Sequence, residues 1–246
     1  MPRPSALRPL VAVMPLALVL LAAGPRPAGA DDLTIRDLLQ TEFRDMSAEL
    51  GIAISAFQLR PAGVLGFPRF DVGAEMTVVD INDNRTYWQR AFDDAPAFLP
   101  VPKLHASVGV PLGIELGALY SKVPGTNIEL WGAEAKWEVI EGGLVTPAVA
   151  LRGAYTSLEG VDELEMSTRS IDASVSKGFG PLTPYAGLGR VWIEAEPRDV
   201  PLLQDESHTE DRLFAGVRFR MLLLSFVGQV DWSRVPAYSF RMNVSF

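Results

Sequence analysis

Hydrophobic and polar residues alternate with a period of two along most of this chain. The last ten residues show the pattern best, because one parity is apolar or aromatic and the other carries Ser239, Arg241, Asn243 and Ser245. Successive side chains of a β-strand point to opposite faces, so such a segment predicts a strand with one apolar and one polar face. The same alternation predicts ten strands, near 70–81, 101–111, 113–121, 128–139, 147–157, 168–177, 183–194, 211–221, 223–233 and 237–246.

Two all-β architectures fit this alternation, a soluble sandwich and a transmembrane barrel. Strands of about ten residues suit a tilted passage through a bilayer. Aromatic residues stand near the strand ends, as in the girdles of membrane barrels: Tyr120, Trp131, Trp137, Tyr155, Tyr185, Trp192, Trp232 and Tyr238. We therefore predict an antiparallel up-and-down transmembrane β-barrel of 10–12 strands with a short N-terminal helix, in preference to the sandwich.

The links between the predicted strands suggest an orientation. If Phe246 ends on the periplasmic side, the periplasmic turns are 111–113, 140–146, 178–182 and 221–223. The outer connections are then 82–100, 122–127, 158–167, 195–210 and 234–236. The three longest links fall on the outer side, as expected for barrels of this class.

The segment before the barrel fits this scheme less well. Leu33 to Glu49 predicts an amphipathic helix, and Ile52 to Leu59 resembles one more strand. Residues 31–60 are therefore a helix that runs through the lumen, a plug or periplasmic cover, or part of an eleven- or twelve-stranded barrel, and residues 61–246 form the barrel proper.

The first thirty residues have the features of a secretory signal peptide. Arg3 and Arg8 precede an apolar run over 11–23, and Ala28-Gly-Ala30 offers small residues for cleavage after Ala30. Removing this segment moves the formal net charge from −8 to −11, because it contains three arginines and no acid. An acidic chain is a poor partner for nucleic acid. The chain has no cysteine, which excludes disulfides and thiolate metal sites.

The polar parity of the strands should face the lumen. It contains equal numbers of acids and bases, with histidine in addition: Asp71, Glu75, Glu115, Glu134, Glu138, Asp172, Glu194 and Asp231; Lys103, Lys136, Arg152, Arg190, Arg212, Arg218, Arg220 and Arg241; and His105. Buried charges must be paired or solvated. The balance predicts a narrow, ion-paired interior, and the alternative is a pore lined by charged rings.

Possible chemistry is limited. His105 lies among the inward residues of a strand, and His208 follows Glu206 and Ser207 in a predicted outer connection. A serine–histidine–acid site needs groups that converge in space, which three consecutive residues rarely do. We expect no enzymatic activity, no metal site and no cofactor.

Two resemblances support the barrel. The C-terminal strand is similar to the assembly signal of bacterial outer-membrane proteins, which implies recognition by the barrel assembly machinery and periplasmic chaperones through Tyr238, Phe240, Met242, Val244 and Phe246. Most of residues 50–246 resembles a family of uncharacterised proteobacterial outer-membrane β-barrel proteins, in the segments 102–105, 124–128, 141–143 with 146–150, 176–179 and 183–187. The resemblance implies a barrel in the outer membrane, with membrane lipid as its surroundings, and implies no functional residues.

The sequence therefore predicts an exported outer-membrane barrel with a structural or surface-interaction role. The alternative is a narrow passive channel for small polar solutes or anions, and an outer-membrane hydrolase is a more distant one.

Overall fold

The alternating stretches form ten antiparallel strands in the computed structural model, which describes residues 33–81, 85–91, 98–123 and 128–246. The strands are β1 (Phe70–Asp80), β2 (Phe98–Val110), β3 (Ile114–Lys122), β4 (Glu129–Ile140), β5 (Ala148–Glu159), β6 (Leu164–Ser176), β7 (Leu182–Pro197), β8 (Glu206–Met221), β9 (Leu224–Trp232) and β10 (Ala237–Ser245). Two helices accompany them: α1 (Gln40–Ile54) before β1, and α2 (Thr86–Ala91) between β1 and β2. The predicted signal peptide lies outside the described residues.

Each strand pairs with its sequence neighbour, and β1 closes the barrel against β10. The closing register runs from Asp71 opposite Ser245 to Val79 opposite Ala237. At the seam Phe70 and Phe246 exchange both backbone hydrogen bonds, of 2.8 and 2.9 Å, and their rings stack. Closure leaves no strand edge unpaired, which the hydrocarbon of a bilayer requires. The predicted closed antiparallel barrel is confirmed, with ten strands.

The outward parity of the strands is an exposed apolar band. Its members include Val72, Leu104, Leu116, Leu151, Ile171, Leu188, Leu213, Val217 and Met242. Exposed aromatic residues border the band towards one end of the barrel: Tyr120, Trp131, Trp192, Trp232 and Tyr238. On the C-terminal strand Tyr238, Met242 and Val244 point outward, with Phe246 exposed at its end.

The connections differ in length between the two ends of the barrel, but less than expected. At the end of Phe246 they are residues 111–113, 141–147, 177–181 and 222–223, and at the other end 81–97, 123–128, 160–163, 198–205 and 233–236. The predicted outer connections 158–167 and 195–210 are shorter, because β5 to β8 continue into them with inward residues such as Leu158, Leu164 and Ala195 buried. The connection 81–97 is the longest.

The segment before β1 adds no strand to the barrel. Helix α1 extends to Ile54, so the predicted strand at 52–59 is corrected to the last turn of a helix and an extended segment. The physical reason is that β1 and β10 already pair with each other, and no sheet edge remains for an eleventh strand. Among the described residues, neither helix is long and apolar enough to span a bilayer.

Leu188, which is 60% exposed at mid-height of the outward band, tests whether this band faces lipid. Leu188→Arg should lower the free energy of unfolding in phospholipid vesicles by about 2–4 kcal/mol, because it places a charge in hydrocarbon. The matched control is Leu202→Arg in the connection 198–205, where the side chain is 85% exposed. Equal effects of the two substitutions would contradict a lipid-facing band.

Candidate functional site

The lumen of the barrel is occupied by residues 33–66 of the same chain, which we call the plug. Its first described residues lie at the end of the barrel opposite Phe246. There Thr34 Oγ1 and the Ile35 amide each donate to Glu163 at 3.1 Å, and the Thr34 amide donates to the Ala91 carbonyl. Its last residues lie at the other end, where the Leu65 amide donates to Glu115 at 2.9 Å. The plug therefore extends along the whole lumen.

The half of the lumen around helix α1 is apolar. Buried side chains of the helix pack against inward residues of several strands in one continuous cluster that includes Phe43, Met46, Leu50, Ile54, Leu130, Leu158, Met166, Val191 and Ile193. The helix comes so close to β7 that a Cβ on Gly51 would lie 2.4 Å from the Ile193 side chain. Glycine is the residue that permits this approach.

Polar contacts fix helix α1 to helix α2, which lies in the connection 81–97. The Glu49 carboxylate, although buried, accepts hydrogen bonds from Tyr87 Oη at 2.8 Å and Trp88 Nε1 at 2.7 Å. Burial and the neighbouring Glu49 raise the pKa of Tyr87, so its hydroxyl remains a donor at neutral pH. These bonds tie α2 to α1 within the apolar cluster, to which Tyr87 and Trp88 also belong.

A first buried charge cluster lies beside helix α1, on the side towards the Phe246 end of the barrel. Asp172 accepts from Arg152 and Arg212, both at 2.6 Å, and all three residues are almost completely inaccessible. Arg152 also binds Glu134 at 2.5 Å, and Glu134 lies 3.1 Å from His105 Nε2. In the low-polarity interior, such groups are stable only as a mutually compensated set.

A second cluster fills the end of the lumen near Phe246. Arg60 of the plug binds Glu115 at 2.5 Å, and Lys136 lies 3.7 Å from the same carboxylate. Arg241 binds Glu75 at 2.6 Å and also contacts Asp71. The plug thus contributes its own cation to a network that otherwise belongs to the barrel wall.

Several cations of the wall also donate to backbone carbonyls of the plug. Lys103 donates to Ser55 at 2.8 Å, Arg152 and Arg212 to Ala56 at 3.2 and 3.3 Å, and Lys136 to Pro61 and Gly63 at 3.2 and 3.3 Å. Acceptors of the wall take amide donors of the plug, since the amide of Ala62 donates to Ser176 and that of Val64 to Glu138. The extended part of the plug is therefore held mainly through its main chain.

Most of the residues predicted to face the lumen are brought together in these two clusters. Glu138 lies half-buried at the lower mouth, and buried Asp231 accepts from Gln229 at 2.8 Å. Arg218 is half-buried and donates to Thr183 Oγ1 at 3.2 Å, while Arg220 is exposed at the lower end of β8.

The placement of Arg190 and Glu194 in the lumen is corrected. Both are exposed on the outward parity of β7, where Arg190 pairs with Asp211 and Glu194 with Arg169. The inward positions there are Val191, Ile193 and Ala195, because this part of the lumen holds the apolar helix. One acid and one base are removed from the predicted set, which still contains equal numbers of each.

The plug residues of the site were not identified from the sequence. Arg60, Gln58 and Phe57 lie outside the alternating strands, and carbonyl groups carry no sequence signature. Phe57 also lies under two wall cations, 5.0 Å from Lys103 and 5.2 Å from Arg212. A charged Arg60 next to an otherwise apolar segment was the available indication of an ion partner in the lumen.

The candidate catalytic residues do not converge. Glu206 is buried and accepts from Arg44 and Gln40 of the plug, Ser207 points outward, and His208 shares a 2.9 Å hydrogen bond with buried Ser47. Alternation on β8 sends neighbouring residues to opposite faces. Within the described ranges, no group of three His, Asp or Glu side chains is arranged to hold a metal ion.

Comparison with known proteins finds no matching family model and no matching curated protein. Among solved structures, a loop-L8 deletion mutant of OmpT, an outer membrane protein of Vibrio cholerae, is 9% identical over 61% of this chain, with a TM-score of 0.32. The chain spans about half of that protein, 55% of its length.

The match to this chain covers two other solved structures over almost their whole length. The KdgM porin is 9% identical over 72% of this chain and 99% of its own, with a TM-score of 0.37. Neisserial surface protein A is 10% identical over 72% of this chain and 95% of its own, with a TM-score of 0.30. These neighbours are bacterial outer-membrane β-barrel proteins. The uncharacterised proteobacterial family named from the sequence stays a prediction.

The first charge cluster, formed around Arg152 and Arg212, depends on Asp172. Asp172→Asn should destabilise the barrel by about 3–5 kcal/mol, because two buried guanidinium groups lose their shared counter-charge. Denaturant unfolding in detergent or vesicles measures this. Glu165→Gln, which breaks an exposed pair with Arg198 at the outer end of β6, is the matched control and should have little effect. A stable Asp172→Asn protein would contradict the role of the cluster.

Proposed function

We propose that the protein is an outer-membrane β-barrel closed by its own plug, with a structural or surface-interaction role in place of solute passage. The occupied lumen carries this proposal. Between the plug and the wall, beside Arg60, His105 and Arg152, the lower lumen has a cavity of about 10 Å³. That volume admits about one water molecule, which is too little for a solute to pass.

The outward face of the barrel supports a position in the membrane. A soluble protein rarely exposes a continuous apolar surface of this extent, whereas a membrane barrel requires one about 25 Å tall, bordered by aromatic residues. Past the aromatic border the outward parity becomes charged, at Lys122, Glu159, Glu165 and Glu194. This change from apolar to charged fits the boundary between hydrocarbon and lipid headgroups.

The orientation follows from the connections. The end with the long connection 81–97 faces the outside of the cell, and the end with Phe246 faces the periplasm, as in barrels with short periplasmic turns. The C-terminal strand presents Tyr238, Met242 and Val244 outward, which suits recognition by the barrel assembly machinery before the seam with β1 closes. Periplasmic chaperones and membrane lipid are the other partners that this route implies.

No catalytic role belongs to this proposal. His105 is buried against Glu134, and His208 is bound to Ser47, which is completely inaccessible. A nucleophile must reach its substrate, and Ser47 has no path to one while helix α1 is seated.

The alternative function is a narrow passive channel. Half-buried Arg218 and exposed Arg220 at the periplasmic mouth favour an anionic solute for it. This function would require the plug to leave the lumen or shift within it.

Planar bilayers distinguish the two functions. The wild-type protein should be electrically silent, because the plug fills the lumen. Gly51→Val should produce openings or accelerate proteolysis of residues 40–54, since any Cβ at this position collides with Ile193 and pushes helix α1 from the wall.

Gly63→Val is the matched control, because a Cβ there has 3.7 Å to its nearest neighbour, Glu138. It should remain as silent as the wild type. Steady single-channel conductance of the wild-type protein would reject the closed barrel and support the channel.

A further inference from the structure

The direction of the plug has a topological consequence. Its amino-terminal part contacts several connections at the outer end of the barrel: Thr34 binds Glu163, Gln40 binds the carbonyl of Gln204, and Asp45 pairs with Arg234. Its carboxy-terminal part reaches the opposite end, where Gly66 accepts from the Arg69 amide just before β1. The chain therefore passes from the outer end to the periplasmic end before the first strand begins.

At the outer end of the barrel, those side chains of the plug that point away from the lumen are exposed to solvent. Leu39, which immediately precedes helix α1, is 62% exposed, and the side chain of Arg36 is 69% exposed. Leu33 and Ile35 are buried in the outer rim. The plug thus begins, at Leu33, in the outer rim and not at the periplasmic mouth.

The lower lumen is built to accept an extended main chain. Lys103, Arg152, Arg212 and Lys136 donate to carbonyls, while Ser176, Glu138 and Glu115 accept from amides, over residues 55–65. Every peptide unit offers these same groups. A wall that binds these groups makes part of its contacts with any sequence, beside its contacts with the side chains of Phe57 and Arg60, so it suits passage of polypeptide as well as retention of one segment.

We propose that the barrel carries its own amino-terminal segment across the outer membrane and presents the amino end of the mature chain on the cell surface. The lumen serves as the conduit, and the plug is the part of the translocated segment that stays in it. This inference rests on the proposed outer-membrane location, and it adds the side on which the amino end stands.

Epitope tags in the full-length protein test the proposal on intact cells, because an antibody cannot cross the outer membrane. One tag is inserted directly before Leu33. Two reference tags replace exposed leucines, Leu202 in the outer connection 198–205 and Leu144 in the periplasmic turn 141–147, at 85% and 101% exposure. Such exposed sites tolerate insertion.

We expect antibody to bind the tags at Leu33 and Leu202 on intact cells, and the tag at Leu144 after permeabilisation. Binding at Leu202 without binding at Leu33 overturns the surface location of the amino end while the membrane barrel stands. Binding at Leu144 alone reverses the orientation and overturns the proposal. Failure of all three tags on intact cells, with the protein absent from the outer-membrane fraction, rejects the proposed function itself.

Because the lumen binds main-chain groups, a second experiment tests whether translocation depends on the sequence of the translocated segment. Two unrelated extensions placed before Leu33, one rich in Gly and Ser and one acidic, should both reach the surface in amounts similar to the tag alone. If the Gly- and Ser-rich extension reached the surface while the acidic extension stayed in the periplasm, the lumen would not be a conduit that tolerates different sequences.

Discussion

The structure depends on the compensation of buried charge in the lumen. Of the charged residues predicted to face the lumen, seven acids and seven bases do point away from lipid, and most of them lie beyond the reach of water. An isolated buried ion costs several kcal/mol, and a paired one remains stable only when its other hydrogen-bonding positions are filled. Cross-strand pairs such as Arg152 with Asp172 meet part of this demand, and the plug contributes further partners through its carbonyl groups and Arg60.

The plug and the wall are therefore complementary in two different ways along the lumen. In the outer half, helix α1 presents Phe43, Met46 and Leu50 to an apolar wall, so burial of hydrophobic area holds it. In the periplasmic half, the extended segment presents main-chain polar groups to a charged wall. The helix satisfies its own backbone internally, which is why it belongs among apolar residues, and the extended segment belongs where donors and acceptors surround it.

This division relates the fold to the two proposals. A lumen filled by its own chain is closed to solutes, which favours a structural or surface-interaction role. The plug also extends between the two mouths before β1, and this direction is the basis for the proposal that the amino end stands at the outer face. Arg90 of helix α2 pairs with Glu42 at the start of helix α1 at 2.6 Å, so the exposed side chains of these two helices lie on one outer surface. That surface is where an interaction partner would meet the protein.

The sequence alone determined the barrel. Period-two alternation, strand length and the terminal Phe246 predicted ten strands, their order and most of the inward charges, because these properties depend on neighbours in the chain. Tertiary structure decided the rest. Whether residues 52–59 form a strand depends on a free sheet edge, which closure between β1 and β10 removes. Arg190 and Glu194 share the parity of Leu188 and Trp192 on β7, so local alternation already points them outward. Tertiary structure decided that helix α1 fills the lumen beside Val191 and Ile193, because that helix is distant from β7 in the chain.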